Sequence, residues 1–538
     1  MTRSARATGL LFLAACGGAT APVVVKPLAP VDAPRVASAA PTLSESASSG
    51  TVASATASPP PAPSGPMLST THFTTFIWRK PMYEKDGMIG AIRAGAHVPR
   101  AAEPYAGKDA GWCKGKWYAV EPVGYVCVGG DGVTLDLDDR TVVAAAAYPP
   151  KAEPLPFGYG MSFGAPLYGL VPTPEEQKAS EGDVGAWQKQ LASMRAKSSP
   201  ANAWPETALP LGPMPSFLEG HARVPATMPG YEVSRATRVG FADSGVRLAF
   251  SAAFESEGRA FYLTSESVVV PADRVKAASP SDFHGIELGG TSGEKLPIVW
   301  ARYSSDTKIV ASVYKLTSDG ATKTDASLPY HAHAAIEADD VTVKGAKYHV
   351  LSALPAGVTA EAGAKYAVKS TDVARVDGVT TAPDKVGDDE VWIDVHLYTQ
   401  TMVVYRGTTP IFATLVSSGQ GGKTHSTPWG AFHVYQKHTT SRMEAPEKPP
   451  ETEKDKVEHA YRYDDVPYVQ YLVGGIAIHA AFWHDGFGMP RSHGCINVSP
   501  RDAQYLFGVT LPAMPRGWHS IFPGHTPLPA GSLVVVHG

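Results

Sequence analysis

Residues 388–419 read "DDEVWIDVHLYTQTMVVYRGTTPIFATLVSSG". Three apolar runs stand out, "WIDVHLY", "TMVVYRG" and "IFATLVSSG", each closed by a few polar or glycine residues. All three are rich in β-branched and aromatic side chains, which suit a pleated, half-buried surface. They predict successive β-strands. "STPWGAFHVYQ" (426–436) adds a Pro/Gly turn and a further strand. The fold class expected from this stretch is mainly β.

The strand pattern continues to "GGIAIHAAFWHDGFGMPRSHGCINVSP" (474–500), where the residue types change. The apolar "IAI" leads to His479 and predicts a strand that ends at a functional edge. Gly474, Gly475, Gly486, Gly488 and Gly494 allow sharp bends beside the histidines and Cys495. A cysteine attacks as thiolate, and a neighbouring imidazole promotes that form. Backbone N–H groups at the Gly494–Cys495 turn are candidates for an oxyanion hole. Acyl transfer through a thioester fits these residues. Two other readings stay open here. His479, His484, His493 and Cys495 could ligate zinc, although their spacing lacks the usual paired ligands. Cys495 could equally be a small core residue among satisfied histidines.

The other cysteines bear on this choice, since the chain has only four in 538 residues. The first stretch, "MTRSARATGLLFLAACGG", places Arg3 and Arg6 before a short apolar run and then "LAAC". It resembles a bacterial lipobox, which implies export and lipidation of Cys16 as the mature N-terminus. The expected location is the cell envelope, facing the periplasm, with a lean towards the outer membrane because Gly17, not Asp, follows the cysteine. Export permits disulfides. Cys113 and Cys127, in two strand-like runs joined by a turn, are expected to pair. Cys495 is then assigned to chemistry.

Composition excludes several alternatives. A hydrophobic content of 43% and a charged content of 18% are those of a folded protein with sizeable cores. The net charge of −4, without a basic run, argues against a nucleic-acid partner. Residues 17–68 are Ala, Pro and Ser with hardly an aromatic, so they predict a disordered tether. Its reach is ~150 Å if extended or about 40 Å as a relaxed coil. The acid-rich run from Met443 to Glu458 predicts a solvated loop, with an active-site lid as the functional alternative.

Two resemblances sharpen the reading. "IGAIRAGAHV", "WYAV" and "GYVC" resemble bacterial SH3-like domains and imply a small β-barrel at 69–145. "SHGCIN" (492–497), after an upstream histidine, resembles the signature of the L,D-transpeptidases of the YkuD-like family. "STPWG" and "VPYVQYLVGGIAIH" are similar to the family's flanking motifs. Twelve residues separate His479 from Ser492, fewer than the family pattern usually has.

The second resemblance implies a β-sandwich-like catalytic domain at 388–538 with Cys495 as nucleophile. It further implies His479 as proton acceptor and donor, oriented by the carbonyl of Ala480. His493 and Gly494 would shape the thiolate and oxyanion site, with Ser492 and Asn497 fixing the turn. Tyr468 would line the donor pocket, and Trp483 and His484 the acceptor rim. Implied partners are peptidoglycan stem peptides, as donor and acceptor, and carbapenem-type inhibitors; no metal or other cofactor is implied. The reaction implied is formation of 3→3 cross-links. An L,D-carboxypeptidase, with water as acceptor, and an inert wall-binding lipoprotein are the alternatives.

The remaining segments are a leader at 1–16, a Pro-rich and β-rich region at 146–290 and a second β-rich region at 291–387. The region from 150 to 230 predicts one helix, around "EEQKASEGDVGAWQKQLASMRAK". "FYLTSESVVVPADRV" (261–275) and "KYAVKSTDVARV" (365–376) share an echo that suggests a degenerate SH3-like repeat.

Overall fold

The computed structural model describes residues 65–107, 113–198, 205–225, 237–290, 293–302, 311–354, 359, 361–422, 425–444, 461–524 and 527–538. The leader with Cys16, nearly all of the Ala/Pro/Ser tether, and most of the acid-rich run lie outside these residues. No described helix is long and apolar enough to cross a membrane.

The chain is mainly β, as its apolar runs predict. Strands Val391–His396, Thr401–Arg406 and Thr409–Leu415 pair antiparallel in sequence order. Val391–His396 also pairs in parallel with Leu533–His537, which pairs in turn with Gly430–His433. Together with Ile286–Glu287 they make a six-stranded sheet. Alternation along Val391–His396 sends Val391, Ile393 and Val395 to one core. Trp392 enters another, with Trp300 and Phe283 from the middle of the chain. Both faces are therefore buried.

A second sheet carries strands Gln436–Glu444, Arg462–Val473, Ile476–Ala480 and Ile496–Val498. The last two run parallel, and the connection between them is the glycine-rich stretch. Helix Pro500–Val509 follows at once, with the Ser499 side chain accepting from Asp502 N–H and Pro500 in its first turn. Its Ala503 and Leu506 fill the core between the two sheets.

The closed small barrel expected at 69–145 is not formed. Its strand Met88–Arg93 pairs with Ser520–Ile521, so the front sheet stays open and continues into the C-terminal region. Trp518 and Ile521 then supply part of the front core. Cys113 and Cys127 are joined by a disulfide, packed against Trp117. The single helix expected near 180 is two, Pro174–Glu181 and Val184–Ala196, broken at Gly182 where φ is +77°. The internal echo is not a shared pairing. Arg259–Thr264 and Val269–Pro271 close a hairpin, whereas Lys365–Lys369 and Val373–Val376 pair with different neighbours.

One buried ion pair ties three regions together. Arg93 donates to Asp465 Oδ1 at 2.6 Å and Oδ2 at 2.9 Å, and to Ser265 O at 3.1 Å. The hydroxyls of Thr440 and Ser265 also donate to Asp465, each at 2.5 Å. The Arg93 charge and these donors hold the Asp465 carboxyl well below its usual range against the cost of burial. Arg93→Ala strands that carboxylate, so an equilibrium stability loss of about 3–5 kcal/mol is expected in urea unfolding. The Arg93→Ala/Asp465→Ala double variant should lose less than Arg93→Ala alone. A loss under about 1 kcal/mol for Arg93→Ala would show that the pair is solvated.

Candidate active site

His479 and Asn497 sit side by side in the parallel register of their strands. This places the histidine next to the residues that follow Cys495. His479 is 2% exposed and Cys495 1% exposed. The His479 Nδ1–H donates to the carbonyl of Ala480 at 2.9 Å. That bond fixes the tautomer and leaves Nε2 as the acceptor. Burial lowers the imidazole pKa to about 4, opposed by the Ala480 contact. The ring is therefore neutral at pH 7.

The turn at 492–495 is braced from within. Ser492 Oγ donates to Cys495 O at 2.5 Å and accepts from Gly494 N–H at 3.0 Å. The turn's own shape, rather than an oxyanion, thus takes the Gly494 N–H, which revises the expected paired donors. Gly494 has φ +129°, and a Cβ there would meet Ile476 Cδ1 at 2.6 Å. Only glycine is compatible with that combination.

From outside the turn, Thr427 of "STPWG" donates to Gly494 O at 2.8 Å and accepts from Gly419 N–H at 2.9 Å. Ser417 and Gly419 bridge to Asn497 and Ser492. The Cys495 sulfur lies 3.8 Å from Gly475 O.

An aromatic wall borders the pair. Trp483 stands 5.7 Å from the His479 ring and 4.4 Å from Tyr463, centroid to centroid. Tyr463, Tyr461 and Trp483 pack on the cluster that contains Cys495. His493 stacks on Tyr461 at 5.3 Å and meets His425 edge-on at 4.5 Å. His484 Nδ1 accepts from Gly486 N–H at 3.2 Å, so its Nε2 carries the proton. Asn497 Nδ2 lies 3.0 Å from that nitrogen, and turning the amide over would bring its oxygen to the proton. His484 is thus a brace of the loop. Among the described residues, no three His, Cys, Asp or Glu side chains converge to hold a metal.

Tyr468 does not line this site. It is 6% exposed and belongs to the core between sheet and helix, where its hydroxyl donates to Glu153 O and its ring faces Phe507. Positive φ at Asp465 and Tyr468 interrupts the period-two alternation of the strand. Val466, Val469 and Tyr471 pack towards Cys495 instead.

Sequence reading also missed Tyr463, Thr427 and Arg247. Thr427 stands inside a quoted motif, and the aromatic spacing of "YRYDD" could have flagged Tyr463. Arg247 has no local signal at all.

The loop between His479 and Cys495 is held by residues far away in sequence. Phe482 stacks on Tyr159 at 4.1 Å. The Tyr330 hydroxyl lies 2.8 Å from Asp485 O and 2.7 Å from Phe487 O, within donating distance of either. Both middle regions therefore support the site.

Residues 390–535 match the family model of the L,D-transpeptidase catalytic domain, YkuD. This segment is a YkuD L,D-transpeptidase catalytic domain. Solved structures similar to this chain include an L,D-transpeptidase from Xylanimonas cellulosilytica, at 20% identity and a TM-score of 0.18 over 29% of this chain and 64% of that one. The Enterococcus faecium L,D-transpeptidase matches at 22% identity and a TM-score of 0.21, over 30% of this chain and 55% of that one. For an L,D-transpeptidase from Mycobacterium smegmatis the values are 16% and 0.21, over 36% and 91%. The chain thus spans less than two thirds of the length of the first two. No match was found among curated proteins. Within the YkuD domain, Cys495 directly precedes the strand that pairs in parallel with that of His479, and the wall of Trp483 and Tyr463 stands beside them.

Proposed function

We propose that this protein is a peptidoglycan L,D-transpeptidase that forms 3→3 cross-links through a thioester on Cys495. The observation that carries the reading is the buried His479, whose Nδ1–H is tied to Ala480 O and whose Nε2 is left as acceptor beside the Cys495 turn. In the first half-reaction Nε2 takes the thiol proton as sulfur attacks the carbonyl of the third stem residue. The tetrahedral adduct collapses, the carbon–nitrogen bond breaks, and His479 returns the proton to the leaving D-alanine amine. In the second half-reaction the side-chain amine of another stem attacks the thioester. His479 takes its proton and hands it to the departing sulfur, which regenerates the thiol and leaves a new amide. The reaction is set on an exported chain, lipid-anchored at Cys16.

The test begins with the protein reduced and its Cys495 thiol confirmed by titration. Incubation with tetrapeptide muropeptides should give an acyl adduct on the peptide containing "SHGCIN" and a cross-linked dimer with loss of D-alanine. A carbapenem, whose strained amide mimics the donor, should acylate the same cysteine. Cys495→Ala should show neither. If the reduced protein takes up neither muropeptide nor carbapenem, the proposal fails. Trimmed stems without dimers would instead assign water as the acceptor.

A further inference from the structure

The strand Arg247–Ser256 lies outside the YkuD domain, yet its first residue reaches the site. Arg247 pairs with Tyr463 in parallel register. Its guanidinium carbon stands 4.3 Å from the Tyr463 ring centroid and 6.0 Å from that of Trp483. Trp483 is in turn the neighbour of His479. The cation therefore forms one end of the aromatic wall whose other end is the His479 ring.

Its electrostatic setting is unusual for an arginine. Burial holds its pKa below the ordinary range, and the one charged-state partner that opposes this is the Tyr463 phenol. A guanidinium stays protonated even so. It donates to Gly245 O at 3.3 Å, which uses one of five N–H groups. Among the described residues no carboxylate reaches salt-bridge distance of it, in contrast to Arg93, Arg259 and Arg274, which are all paired. Desolvated cations are ordinarily matched by an anion. Stacking on two rings compensates part of the cost and orients the planar fork, but it supplies no opposite charge.

We propose that Arg247 is the anion-binding residue of the YkuD site and receives a carboxylate of the donor stem peptide. The inference rests on the transpeptidase reading for the identity of the donor, and on the geometry for the charge it must carry. Two carboxylate sources meet the requirement: the C-terminus of the leaving D-alanine, and a side carboxylate on the stem. Both offer two oxygens to the guanidinium fork. Donor selection in this protein then depends on a region outside its catalytic domain.

Binding to the acylation-incompetent Cys495→Ala protein separates recognition from chemistry. Calorimetric titration with a synthetic tetrapeptide donor should show Arg247→Gln weakening binding by about 10- to 100-fold, the usual effect of losing a charged hydrogen bond. Amidating the recognised carboxylate should weaken binding to the Arg247 protein as much, and should abolish the difference between Arg247 and Gln. Donors amidated at the terminus and at the side carboxylate, tried separately, identify the source. Arg247→Lys keeps charge without the fork and should fall between the two, which also covers a Gln variant that fails to fold. The proposal is overturned if Arg247→Gln binds every donor as tightly as before, or weakens free and amidated donors alike, or if no donor binds. Failure of the transpeptidase reading looks different: carboxylate-dependent binding would persist while the reduced wild-type protein formed no acyl-enzyme.

Discussion

His479→Ala should slow acylation of Cys495 by ~10²- to 10⁴-fold, the range lost when a positioned general base is removed. The effect follows from the resting protonation states. Burial keeps the imidazole pKa near 4, so His479 is too weak a base to hold a thiolate before substrate arrives. The proton moves as the sulfur–carbon bond forms, and without Nε2 it has no acceptor in this buried site. Reaction of the reduced wild-type protein with a carbapenem, followed by mass spectrometry across pH, provides the measurement. The wild-type rate should decline only as pH falls through about 4, where His479 becomes protonated. The alanine variant should lack that limb and regain rate at alkaline pH, where the thiol ionises unaided. A variant acylated within a few-fold of wild type at pH 7 would remove His479 from the mechanism.

Acid should destabilise the folded protein well before its carboxylates titrate. Burial lowers the pKa values of His479 and His519 to about 4 and those of His438 and His484 to about 3. In the unfolded chain each returns to about 6.5. The unfolded state therefore binds more protons between pH 6.5 and 4, so stability is full above pH 6.5 and is lost as pH falls through that window. His479 alone contributes a slope of ~1.4 kcal/mol per pH unit near pH 5. All four together approach ~5 kcal/mol per pH unit, against a total of about 5–15 kcal/mol for a typical protein. His438, His484 and His519 keep an edge open to solvent, so the observed slope should lie between these limits. Thermal melts from pH 7 to 4.5 should show a steep fall in Tm, shallower in His438→Gln. A flat Tm between pH 6.5 and 5 would mean that these imidazoles are solvated.

Local sequence determined what local physics controls. Runs of β-branched and aromatic residues placed the strands of 391–415, because such side chains suit a pleated, half-buried surface whatever the distant chain does. The polar, glycine-rich run around Cys495 announced a turn, and Gly494 is needed there for its positive φ. The pairing of Cys113 with Cys127 was also legible, since two short strands joined by a turn bring their ends together. The helix Pro500–Val509 went unread although Ser499, Pro500 and Asp502 spell a helix start.

Other features were decided only by tertiary structure. Positive φ at Asp465 and Tyr468 turned Tyr468 into the core, and no pattern of apolar residues encodes that break. Ser520–Ile521 joins the front sheet across more than four hundred residues of chain, so the front strands never close on themselves. Arg247 meets Tyr463 by the same kind of long-range pairing. Such contacts have no local signature, because strand pairing depends on which edges the assembled cores leave open. The residue types for the chemistry were therefore visible in the sequence. The cation proposed to meet the substrate, Arg247, and the supports of the loop beside it come from elsewhere in the fold.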